Sequence, residues 1–145
     1  MALNFLMCAV MYKKTRLLKL KLVTPMIHTV LPIGAEPEED EDDDSPVKVA
    51  FQVLNTLGTN MAPQYVFPVV AEVLVSYAQN QDPNYRKAAM FSIAVLVDGC
   101  ADYIRPRVKD LLVFVAQGLQ DPESFVRKAA CMALGALSGT SFTHS

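Results

Sequence analysis

The chain has 145 residues, 52% of them hydrophobic, and a formal net charge of -2. That apolar content excludes an intrinsically disordered chain and suffices for one sizeable core. Three cysteines, Cys8, Cys100 and Cys131, lie far apart in apolar segments, which predicts buried free thiols in a reducing compartment and not a disulfide framework.

In chain order, apolar periodicity and breakers predict seven helical segments. The first is a partial helix over about Ala2 to Tyr12. Its apolar opening carries its charges after the apolar run, not before it, and is too short to span a bilayer, so it reads neither as a signal sequence nor as a membrane segment. The second runs from about Thr15 to Pro32. It holds Lys13, Lys14, Arg16, Lys19 and Lys21 at or near its start, interleaved with Leu17, Leu18, Leu20 and Leu22, the pattern of an amphipathic helix with a solvated basic side. Gly34 and Pro37 end it, and an acidic run follows: Glu36, Glu38, Glu39, Asp40, Glu41, Asp42, Asp43 and Asp44 hold eight of the fifteen acidic residues. Further helices are expected at about Pro46 to Leu57, Pro63 to Gln79, Asn84 to Val97, Tyr103 to Gly118 and Glu123 to Leu137. Pro46, Pro83 and Pro122 stand at or just before helix starts, where a missing amide donor costs nothing, and Asp82 and Asp121 are placed to cap.

These helices repeat. Pro25, Pro68 and Pro106 are 43 and 38 residues apart, and each is followed in the same register by an apolar pair, Val30-Leu31, Val73-Leu74 and Leu111-Leu112. Arg86-Lys87-Ala88-Ala89 returns 41 residues later as Arg127-Lys128-Ala129-Ala130, each copy after an Asp-Pro, Asp82-Pro83 and Asp121-Pro122. A period of this length marks stacked helical hairpins. The three prolines lie within or near the first turns of the second helices, where they either begin the helix or bend it. Ala88, Ala89 and Ala94, then Ala129, Ala130, Ala133, Gly135 and Ala136, predict close helix approach, with Leu96 and Leu137 completing the core stripe. Hairpins of this kind cover their apolar faces only by stacking on neighbours.

The residues offer no catalytic centre: His28 sits alone in an apolar helix, His144 lies near the end, and neither has a nucleophile and orienting carboxylate nearby. Three scattered cysteines and two histidines make no zinc signature, and no Gly-rich phosphate loop is present. No cofactor is expected. The acidic run is the sharpest candidate site, because clustered carboxylates create a field that attracts Lys- and Arg-rich partners; the competing reading is a solvated insertion between repeats. It lacks the spaced ligands and turn glycine of a calcium loop.

The Asp-Pro followed by Val126-Arg127 and an alanine-rich helix is the HEAT-repeat pattern. Three stretches resemble the importin-β (karyopherin-β) family of nuclear transport receptors: Lys19-Leu20-Lys21-Leu22-Val23-Thr24-Pro25 leading into the acidic run, Ala50-Phe51-Gln52-Val53-Leu54-Asn55-Thr56-Leu57 ahead of Tyr65-Val66-Phe67-Pro68, and Tyr85-Arg86-Lys87-Ala88-Ala89 through Asp98-Gly99-Cys100-Ala101. The similarity extends from Lys13 to Ser138. It implies an all-α HEAT-repeat solenoid of about three and a half repeats over residues 1–138, with an acidic inter-repeat loop at 35–45 and a tail at 139–145. Each repeat would comprise an outer, convex A helix and an inner, concave B helix. It implies a binding protein, not an enzyme, that shuttles between cytoplasm and nucleus. Basic cargo such as histones or ribosomal proteins would lie on the inner surface, Phe-Gly nucleoporins between A helices, and Ran would act through a longer receptor; neither direct nucleic-acid binding nor membrane insertion is implied. A HEAT scaffold or a histone-chaperone-like module is the alternative. As in other HEAT arrays, Arg86 and Arg127 are expected to form a ladder with aspartates of neighbouring repeats, Asp82 and Asp121 being the obvious partners.

Overall fold

The computed structural model describes residues 22–37 and 45–142. The expected first helix, the basic cluster at Lys13 to Lys21 and Cys8 lie outside the described residues. Those described form six α-helices: α1 (Val23–Gly34), α2 (Pro46–Asn60), α3 (Pro63–Ala78), α4 (Pro83–Ile104), α5 (Val108–Leu119) and α6 (Ser124–Phe142), with a 3-10 turn at Arg105–Arg107 between α4 and α5. Among them no helix is long and apolar enough to cross a membrane.

The starts follow from local chemistry. Pro46, Pro63 and Pro83 each open their helix, and the side chains of Ser45 and Asp82 accept hydrogen bonds from the amides of Lys48 at 3.3 Å and Asn84 at 3.0 Å. Pro25 falls in the first turn of α1, Pro68 lies inside α3, and Pro106 sits in the 3-10 turn. The three prolines therefore share a sequence register without sharing a local structure.

The largest departures from the expected boundaries lie around the end of α4 and at the end of α6. The helix expected to end at Val97 continues through a kink at Cys100, with φ -121° and ψ 25°, to Ile104, so Tyr103 closes α4 instead of opening α5. The cause is a crossing: Gly99 meets the backbone of Gly58 so closely that a β-carbon there would lie 2.5 Å from the Gly58 carbonyl. The Cys100 thiol, buried beside it, donates to the same carbonyl at 3.7 Å, and burial pushes its pKa up. The last helix runs past Leu137 to Phe142.

The stack has two sides. Helices α2, α4 and α6 pack against one another most extensively, through Gly58 and Gly99 at one junction and the fully buried Ala88, Ala89, Ala129, Ala130 and Ala133 at the other. Gly135, expected among these small contact residues, is exposed with nothing within 4 Å of its would-be β-carbon. On the other side, α1, α3 and α5 carry larger residues at their facing positions. There α3 and α5 have almost no close backbone approach. The core between the two sides joins Ile27, Leu31, Leu54, Leu57, Leu96, Ile104 and Leu137, all under 2% exposed. Cys131, expected to be buried, is exposed on α6.

Candidate interaction surface

Spacing between α3 and α5 leaves a groove of about 330 Å³. Phe67, Ala71, Leu74, Leu111 and Phe114 give it apolar walls, and Arg107 and Asp110 supply its charged groups. Bulky side chains on both helices hold the backbones apart, whereas alanine and glycine on the opposite side let them touch. The Arg107 guanidinium is held in place: it donates to the Tyr103 carbonyl at 2.6 Å and stacks on the Tyr103 ring at 3.9 Å, and that ring lies 5.5 Å from Phe67. Asp110 is exposed and enters no ion pair among the described residues.

A second groove of about 410 Å³ lies between α1 and α3, lined by His28, Pro32, Glu72, Val73, Ser76 and Tyr77. Burial and the neighbouring Tyr85 phenol raise the Tyr77 pKa, and the two rings meet edge to face at 4.8 Å. The acidic run follows α1 in the sequence. Glu36 is exposed two residues after α1 ends, while Glu38, Glu39, Asp40, Glu41, Asp42, Asp43 and Asp44 lie outside the described residues.

The repeated arginines do a different job. Arg86 reaches across the α4–α6 junction with Nε 2.6 Å from Asp121 Oδ2 and Nη2 3.1 Å from Oδ1, while its Nη1 donates to the carbonyls of Asn80 and Gln81, both at 2.9 Å. Asp121 also accepts from the Glu123 amide at 3.0 Å. The side chains are 18% and 8% exposed, so the pair is shielded from water. Arg86 holds the Asp121 carboxyl below the usual carboxylate range, and Asp121 in turn raises the Arg86 pKa. Arg127 repeats the local half of this pattern, donating to the carbonyls of Asp121 at 2.7 Å and Pro122 at 3.0 Å.

Asp82, the other expected partner, pairs with neither arginine. The arginine–carbonyl bonds explain why: Arg86 Nη1 donates to the carbonyl of Asn80 and Arg127 Nη1 to that of Asp121, each six residues back, so the structural counterpart of Asp121 is Asn80. The two Asp-Pro phrases are out of register by two residues. Asp82 instead caps α4. Lys87, next to Arg86, is buried at 6% exposure with its ammonium 5.9 Å from the Phe125 ring centre. Among the described residues no group of His, Cys, Asp or Glu is arranged to hold a metal ion.

A HEAT-like repeat family model matches residues 83–137, the stretch that contains the arginine clamp and the alanine junction. The chain is 31% identical over 139 residues to the probable importin subunit beta-4 of Schizosaccharomyces pombe, which covers 95% of this chain. It is 37% identical over 145 residues to importin-4 of Mus musculus and of Homo sapiens, covering 87% of this chain in each case. The chain belongs to the importin-β family. It spans 13% of the length of these relatives. In the family's terms α2, α4 and α6 are A helices and α1, α3 and α5 are B helices, so both grooves lie on the B-helix face. Periodicity alone does not single out Glu72 and Asp110, because isolated acids on apolar helices are ordinary solvated positions. Counting four residues on from Pro68 and Pro106 would find them.

Proposed function

We propose that this chain forms a cargo-holding part of a nuclear import receptor, in which the acidic run at Glu36 to Asp44 and the B-helix face together attract a Lys- and Arg-rich protein. The observation that carries the reading is the attachment of the run: in sequence it directly follows α1, whose Pro32 lines the B-face groove, which supports an action of its carboxylates near that face. Membership of the importin-β family supports it, and action by binding follows. Passage between cytoplasm and nucleus, docking to Phe-Gly nucleoporins and release by Ran belong to a longer receptor of which these repeats would be one part.

The test titrates the chain with a fluorescent, lysine-rich histone-tail peptide at low and moderate salt. Replacing the eight carboxylates of the run with amides is expected to weaken binding at least about tenfold at low salt and to flatten the salt dependence. Equal affinity of both proteins would remove the run from the site. In a receptor containing these repeats, Ran in its GTP state is expected to release the cargo; a passive scaffold predicts no nucleotide dependence.

A further inference from the structure

When the B helices are aligned on their repeated prolines, two pairs of residues coincide. Glu72 and Asp110 each stand four residues after the proline, and Val75 and Val113 each stand seven after it. These two valines are the most exposed large apolar residues among those described, at 54% and 64%. Helix α3 is flanked by α1 and α5, so the exposure of Val75 does not come from a missing neighbour. Neither carboxylate forms an ion pair among the described residues, and each lines one of the two grooves. Lys109 lines neither, and Arg107 is already committed to Tyr103. The corresponding positions of α1 are the uncharged Thr29 and Pro32, so the acids stop at two rungs.

We propose that the B-helix face is a track for an extended partner segment that places one large apolar side chain in the groove between α3 and α5 and sets a lysine or arginine against each of Asp110 and Glu72. This deepens the cargo reading and rests on it. The groove accommodates a leucine or phenylalanine side chain, and its walls are already apart, so filling it needs no repacking. Neighbouring helices in such stacks lie about 10 Å apart and an extended chain advances about 3.3 Å per residue, which puts the two cationic side chains roughly three to four residues apart with the apolar anchor between them. The positive Arg107, which also lines the groove, repels a further cation beside it. The acidic run that follows α1 in the sequence carries the same sign of charge as Asp110 and Glu72.

The probe is a labelled ten-residue peptide with a central leucine flanked by two lysines, titrated by fluorescence anisotropy against four proteins. These are the full chain, Asp110→Asn, Glu72→Gln, and the chain with its acidic run neutralised. Each single substitution lies on the exposed face, and melting curves check that the fold is kept. Asp110→Asn and Glu72→Gln are each expected to weaken binding about two- to fivefold. Replacing the peptide leucine with serine is expected to weaken it at least about tenfold. In the run-neutralised chain the leucine and Asp110 dependences persist although overall affinity falls. If binding vanishes with the run neutralised but ignores Asp110, Glu72 and the leucine, the track is wrong while the acidic run keeps its role. If the leucine and Asp110 dependences hold and neutralising the run changes nothing, the track stands and the role of the run fails. A Phe-Gly peptide without lysines that binds as tightly as the probe would overturn the charge assignment.

Discussion

Arg86→Ala is expected to destabilise the fold by about 3 kcal/mol and to lower its thermal midpoint by roughly 10 °C. Three causes add up. The forked contact with Asp121 is lost, the carbonyls of Asn80 and Gln81 lose their donor, and a carboxylate only 8% exposed is left without its counter-ion. Arg86→Lys is expected to rescue little of this, since one ammonium cannot hold a two-oxygen fork and two carbonyls at the same time. The pair also gives the fold an acid limb. Asp121 has a depressed pKa in the folded state, so its contribution is complete above the unfolded carboxylate value, about 3.9, and drains away as pH falls through the folded value. Urea midpoints of the native chain and Arg86→Ala, compared from pH 7 downward, are expected to differ by a constant amount until about pH 4 and then to narrow to the part owed to the Asn80 and Gln81 carbonyls. A gap that stays constant to pH 2 would show that the ion pair does not supply the difference.

Gly99→Ala is expected to be at least as damaging, about 3 kcal/mol, for a purely steric reason. Its methyl group would meet the Gly58 carbonyl carbon and oxygen at 2.5 Å and the Thr59 amide nitrogen at 2.8 Å, all backbone atoms that cannot rotate away. The α2–α4 crossing must therefore widen, which exposes Leu96 and Cys100 beneath it. Gly135→Ala, in the middle of α6 with open space around it, is the matching control and is expected to stabilise by about 0.5 to 1 kcal/mol through backbone entropy alone. Far-UV circular dichroism during urea unfolding measures both. A gain at Gly99 equal to that at Gly135 would mean that helix propensity, not contact, sets the effect.

The repeat was legible in the sequence because stacking imposes it: prolines at helix starts and alanines at the close junction recur at nearly constant spacing. The all-α hairpin stack and most helix starts follow from those signals alone. What escaped was governed by contacts between repeats. Tyr103 looks like a helix opener beside Pro106, yet it belongs to α4, because the Gly58–Gly99 crossing lets the helix kink at Cys100 and continue. Asp82-Pro83 and Asp121-Pro122 read as equivalent, although Asp82 stands four residues before Arg86 and Asp121 six before Arg127, and the arginine–carbonyl bonds match Asp121 with Asn80. Gly135 looks like a packing glycine, but side-chain direction on α6 turns it outward, and nothing in local sequence reports that rotation. The B-face groove is invisible to periodicity, since Phe67 and Phe114 register only as core residues until the separation of their helices is known.

The two junctions between A helices are built from different chemistry. Between α2 and α4 the closest contact is neutral backbone against backbone; between α4 and α6 the packing includes a shielded ion pair. Protons therefore act on one seam and spare the other. In acid the chain should part at a defined place, with amides of α6 exchanging their hydrogens early while α2 and α4 stay protected as a unit. Local opening of the array would then report the pH of its surroundings, at a position fixed by one arginine.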